Sequence, residues 1–259
     1  MPRANRHHIP GCVWHITHRC HKQEFLLKFE KDRKRWLSWL FEAKKRYGLC
    51  VLNYIVTSNH IHLLVVDTDE KTIPRSLQLI AGRTAQEYNT RKSRKGSFWE
   101  DRYHATAVDT DNHLAKCMVY IDLNMVRTGA VSHPSEYRSC GYNEIQHPPK
   151  RYSIINKKML LTYFSIQNEN RFREEQNRWI MAELEAKTLT RNQDWSESIA
   201  VGRKSFTTDI QQQLASRAPK LSIVSVNGTA VLKEPKFPYD TVLDAKKGLL
   251  SPKNTYYWR

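Results

Sequence analysis

Hydrophobic positions recur with two different periods between residues 12 and 127, and each switch of period marks a new element. The segment 12–18 (CVWHITH) reads as a short strand. From about Asp32 to Tyr47, Trp36, Leu37, Leu40, Phe41 and Ala43 fall near helical spacing, and Gly48 is placed to end that helix. β-Branched and aromatic residues return in 49–56 (LCVLNYIV) and 60–66 (HIHLLVV); the turn-like TSN between them predicts a hairpin. Ile73 to about Tyr88 predicts a second helix with Pro74 in its first turn, followed by the basic loop 89–97 (NTRKSRKGS). Residues 103–109 supply a fourth strand, and Asp111 is placed to cap a third helix running to about Arg127, ended by Thr128-Gly129. The order β-α-β-β-α-β plus one helix predicts an α+β fold, a ferredoxin-like antiparallel sheet with helices packed on one face.

The pattern changes after the HPPK break at 147–150. Residues 157–187 are helical in composition and heavily charged, 203–216 suggests another helix, and the chain from about Ala218 onward lacks steady periodicity. The expected organisation is therefore a catalytic domain over 1–150 and a helical, basic C-terminal accessory region over 151–259 with a partly irregular tail.

Charge narrows the partners. The 259 residues include 42 Lys and Arg against 26 Asp and Glu, a formal net charge of +16, which favours a polyanion because each neutralised phosphate releases a condensed counterion. Nucleic acid leads over a membrane surface, since no apolar run is long enough to span a bilayer. The N-terminal MPRANRHHIPG lacks the apolar core of a signal peptide, so a cytoplasmic location is expected, with the five cysteines reduced. Cys12, His15, His18, Cys20 and His21 bring zinc to mind, but strand alternation scatters them over two faces, and no zinc site is expected. Arg3 and Arg6, with Arg91, Lys92, Arg94 and Lys95, are candidate phosphate contacts; Trp99 and Tyr103 would either stack on bases or close the core.

The sharpest chemistry is His60-Ile61-His62. On a strand both imidazoles point to one face, and two neutral imidazoles on a rigid strand can bind a divalent cation with positions left for a third ligand and substrate oxygens. In the third helix, Leu114, Cys117, Met118, Ile121 and Met125 form an apolar stripe. Lys116, Tyr120, Asn124 and Arg127 step along a second face, stacking a phenol, a carboxamide and two cations.

The blocks SNHIHLLV (58–65), FWEDRYHATAVD (98–109), YIDLNMVRTGAV (120–131) and PSEYRSCGY (134–142), with GCVWHITHR (11–19) and IAVGRKSF (199–206), resemble the REP-associated tyrosine transposases of the HUH single-tyrosine superfamily. The resemblance implies that His60 and His62 are metal ligands, that Tyr120 is the nucleophile and that Asn124 is the third ligand. It departs at Met125, where the family shows proline after the asparagine; this bears on helix-end rigidity and not on the nucleophile.

The implied activity is metal-dependent cleavage and joining of single-stranded DNA, with Mg²⁺ or Mn²⁺ polarising the scissile phosphate and Lys116 and Arg127 available to phosphate charge. Attack would leave a 5′-phosphotyrosine and a 3′-hydroxyl, without a nucleotide cofactor. The implied partner is a repetitive extragenic palindrome hairpin in a bacterial genome, handled by a monomer acting in cis or a homodimer in trans. The rival readings are a DNA-binding repressor of the same fold that has lost catalysis and a metal-dependent nuclease that uses water. Tyr103 and Tyr137 compete for the nucleophile's role, but neither has a carboxamide one turn away.

Overall fold

The computed structural model describes residues 9–110, 112–186, 189–215, 221–226 and 228–234. Its first six main elements are β1 (Val13–Arg19), α1 (Glu30–Tyr47), β2 (Cys50–Val56), β3 (His60–Val66), α2 (Thr72–Arg91) and β4 (His104–Val108). Antiparallel pairing of β2 with β3, β3 with β1 and β1 with β4 gives the spatial order β2-β3-β1-β4, the ferredoxin-like arrangement. Gly48 ends α1 in the left-handed conformation at φ 71°, where its amide donates to the Lys44 carbonyl at 2.9 Å.

Alternation gives the sheet two distinct faces. Trp14, Ile16, Ile61, Leu63 and Val65 are buried on the face covered by α1 and α2, whose own Trp36, Leu40, Leu77 and Ile80 are buried too. The other face carries His15, Thr17, His62 and Thr106. Over it lie α3 (Asn112–Asp122), the short α4 (Asn124–Arg127) and α8 (Asp194–Glu197). Asp111, the expected cap of the third helix, lies outside the described residues, and that helix divides at Leu123. Also present are α5 (Gly141–Gln146), α6 (Lys157–Tyr163), α7 (Glu169–Ala186) and α9 (Lys204–Leu214).

The chain beyond residue 150 adds strands that hydrophobic periodicity does not predict. Strand β5 (Ala200–Gly202) runs parallel to β4, and the hairpin β6 (Ser222–Val226) and β7 (Thr229–Lys233) extends the sheet antiparallel to β5. The result is one seven-stranded sheet, β2-β3-β1-β4-β5-β7-β6. β5 has only three residues, too few for alternation to show, and β6 and β7 lie in a stretch without steady periodicity.

The added strands are fastened at Asp109, at the end of β4. Its buried carboxylate accepts from Arg203 Nε at 2.7 Å, Arg203 Nη2 at 2.9 Å and the Arg203 amide at 2.9 Å. Burial opposes the charge, yet these donors hold Asp109 below its ordinary carboxylate range. Gly202 makes the approach possible, because a Cβ there would sit 2.3 Å from Asp109 Cβ. Gly202→Ala is therefore expected to destabilise the protein by about 1–3 kcal/mol, read as a lower urea midpoint at unchanged slope.

Candidate active site

His62 lies opposite Thr17 of β1, and His60 opposite Arg19, so the histidine pair faces α3 and α8 across the middle and end of β3. A chain of hydrogen bonds determines where the protons sit. His15 Nδ1 is 2.7 Å from the Trp195 carbonyl, which can only accept, so in the neutral ring Nδ1 carries the hydrogen and Nε2 accepts. His62 Nδ1, 2.9 Å from His15 Nε2, must then be the donor, and His62 Nε2 keeps its lone pair. The two rings stack at 5.0 Å. Asn59 donates its amide to the Gln23 carbonyl, so its Oδ1 accepts from His60 Nδ1 at 2.7 Å and His60 Nε2 is also unprotonated.

Burial keeps these rings neutral. It lowers His15 and His60 to about 4 and His62 well below its ordinary value; Arg19, Arg191 and Arg127 act on His60 in the same direction. Both imidazoles of the pair thus present lone pairs at neutral pH.

Helix α3 brings Tyr120 to this face. Its ring meets His62 edge-on at 5.8 Å and His15 at 6.0 Å, and lies 6.4 Å from Trp195. Asn124 follows four residues later: its Nδ2 is 3.0 Å from His62 Nε2, while its Oδ1 is buried without a hydrogen-bond partner. Arg127 folds back over Tyr120, with its guanidinium carbon 4.2 Å from the ring centroid and Nη2 donating to the Tyr120 carbonyl at 2.7 Å. A buried polar network anchors the helix. Asp122 accepts from Asn53 Nδ2 and Gln176 Nε2, each at 2.9 Å, and Gln146 donates in turn to Gln176 Oε1. Burial raises Asp122 to about 7 against the pull of those two amides. A register shift between Val51 and Asn53 in β2 accompanies this inward-pointing carboxamide.

The structure gathers His60, His62, Tyr120, Asn124 and Arg127, and it distributes the other candidates elsewhere. Lys116 is exposed on α3 one turn before Tyr120. Arg91 pairs with buried Asp32, and Arg94 pairs with Glu24 at 3.3 Å and donates to the Ser97 carbonyl at 2.9 Å, so both tie the loop down. Lys92 and Lys95 are exposed; Arg3 and Arg6 lie outside the described residues. Trp99 closes the core, stacked on His18 at 4.0 Å with Nε1 donating to the Ala81 carbonyl, and Tyr103 is buried. Tyr137 donates its hydroxyl to the Val56 carbonyl at 2.7 Å, and burial pushes its phenol up to about 12. His15, the Trp195 carbonyl and Arg191 escape sequence reasoning. Arg19 escapes it as well, since only the strand register shows that it faces His60.

Among the described residues no three His, Cys, Asp or Glu converge as a metal cluster. Two imidazole lone pairs beside an orphaned carboxamide oxygen could nevertheless hold a divalent cation, with the Asn124 amide that now donates to His62 Nε2 turned to offer its oxygen instead. His15 would then act on His62 as outer-shell carboxylates and carbonyls act on other metal-bound histidines. His15→Phe keeps a ring in place but removes the acceptor; Mn²⁺ affinity is expected to fall roughly 10- to 100-fold, measured by calorimetric titration.

Residues 8–124 match the family model described as transposase, IS200 like. The match spans just under half of the 259 residues, and over that span the chain is similar to that family. A solved structure of a REP-associated tyrosine transposase bound to a REP hairpin is similar at 16% identity and a TM-score of 0.46, over 59% of this chain and 90% of that one. A transposase structure from Deinococcus radiodurans R1, itself described as putative, aligns at 14% identity and a TM-score of 0.33, over 49% of this chain and 97% of that one. Comparison with curated proteins gives no match. Among the described residues no helix is long and apolar enough to cross a membrane.

Proposed function

We propose that the protein is a metal-dependent single-stranded DNA endonuclease and strand-transferase that works through a 5′-phosphotyrosine intermediate on repetitive extragenic palindrome hairpins in the bacterial cytoplasm. The observation that carries this reading is the meeting of Tyr120, Asn124 and a tautomer-fixed His62 in one site built by one chain. A Mg²⁺ or Mn²⁺ ion held by His60, His62 and Asn124 would draw charge from the scissile phosphate. Tyr120 supplies the nucleophilic oxygen. Its bond to phosphorus forms as the bond from phosphorus to the 3′ oxygen breaks; the phenol gives up its proton, and the departing oxygen gains one. Arg127 over the ring favours the negative charge that develops on the phenol. Because the phosphodiester energy is kept in the tyrosine ester, attack by a 3′-hydroxyl rejoins the strand without a nucleotide cofactor.

Having Tyr120 and His62 in the same chain supports action in cis by a monomer. A denaturing gel of end-labelled hairpin DNA with Mg²⁺ tests the function. A protein-linked band is expected. Cleavage without such a band would instead identify a nuclease that uses water, and binding without cleavage an inactive DNA-binding protein.

A further inference from the structure

The segment joining β1 to α1 is strapped to the turn that leads into His60. The Cys20 amide donates to the Asn59 carbonyl and the Leu27 amide to the Ser58 carbonyl, each at 2.8 Å, and Asn59 Nδ2 reaches the Gln23 carbonyl at 3.2 Å. Leu26 and Leu27 are buried as the anchor of this strap. Phe25 and Phe29 on either side of them are 64% and 51% exposed. They are two of the five large hydrophobic side chains exposed among the described residues, and both lie on the segment tied to Ser58 and Asn59, the residues that lead into His60. Lys92 Nζ stands 5.6 Å from the Phe29 ring centroid, and Lys22, Lys28 and Lys95 are exposed on the same two loops. Glu24 is already engaged by Arg94.

Exposed aromatic rings among cations suit a flexible strand whose bases stack while its phosphates are neutralised. A second copy of this chain is the poorer occupant, because a two-fold contact here would set lysines against lysines. We propose that Phe25 and Phe29, with Lys22, Lys28, Lys92 and Lys95 around them, form a stacking shelf for unpaired DNA bases at the end of the sheet where the chain turns into His60. The shelf rests on the DNA-cleaving function proposed above and adds a subsite to it.

The test uses the full chain in EDTA, so that binding is read apart from cleavage. One probe is a DNA hairpin with a single-stranded extension carrying 2-aminopurine; the other is the same hairpin with a blunt end. The wild type is expected to quench the 2-aminopurine and to bind the extended hairpin more tightly. Phe25→Ala/Phe29→Ala should abolish quenching and weaken binding of the extended hairpin by roughly 10-fold or more, with the blunt hairpin little changed. Phe29→Trp should keep the quenching. Lys92→Ala/Lys95→Ala should lower the log–log salt slope by about one to two without abolishing quenching. Wild-type quenching and affinity in the double-phenylalanine variant would overturn the shelf while leaving the proposed function standing. So would a dimer that this variant converts to monomer with DNA binding intact. Failure of the wild type to bind either hairpin would overturn both.

Discussion

With His60 and His62 both replaced by alanine, hairpin cleavage is expected to fall at least about 10³-fold, equivalent to roughly 4 kcal/mol of barrier, while hairpin binding changes only a few-fold. The asymmetry follows from position. On the proposed mechanism the buried His62 and half-buried His60 meet the reacting phosphate, whereas binding to the rest of the hairpin draws on exposed cations such as Lys92 and Lys95. EDTA should abolish cleavage by the wild type, and Mg²⁺ or Mn²⁺ should restore it. Of the single variants, His62→Ala should also cost stability, because it leaves the buried His15 Nε2 without its 2.9 Å partner. Full cleavage by the metal-stripped double variant would remove the histidine pair from the chemistry.

Removing one oxygen in Tyr120→Phe should have an equally large effect on covalent capture of DNA and almost none on folding. The ring keeps its edge-on contacts with His15 and His62 and its place under Arg127. The Arg127 hydrogen bond goes to the backbone carbonyl of residue 120, which the substitution leaves in place. Adduct formation should drop at least about 10³-fold, with a melting temperature close to that of the wild type. Tyr103→Phe and Tyr137→Phe should retain the adduct; Tyr137→Phe should lose stability instead, since its hydroxyl serves the Val56 carbonyl.

The ferredoxin-like core was legible because its strands and helices each express their own period. HIHLLVV is a strand at the residues its alternation marks, and Gly48 stops α1 where glycine at a helix end should. The four-residue step from Tyr120 to Asn124 carries across the break at Leu123, because the Leu123 and Arg127 amides still bond back by four residues. What could not be read depends on partners far along the chain. His15 takes its meaning from a carbonyl 180 positions away and from the register that brings it beside His62. Arg91 and Arg94 read as free cations until Asp32 and Glu24, 59 and 70 residues distant, are placed against them. The β6–β7 hairpin has a local signal in Asn227-Gly228 between two β-branched runs, and Gly228 adopts φ 76° there. Its strands lie in a stretch without steady periodicity, so that turn is the one local mark of it. The tail from residue 235 onward lies outside the described residues.

The most direct measurement is the identity of the amino acid that carries DNA. The wild-type protein is trapped on a hairpin substrate with Mn²⁺ and digested with protease and nuclease, and the nucleotide-bearing peptide is sequenced by mass spectrometry. The modified residue is expected to be Tyr120, joined to a 5′-phosphate. A nucleotide on Tyr103 or Tyr137, or an adduct that persists in Tyr120→Phe, would contradict the proposed mechanism at its centre.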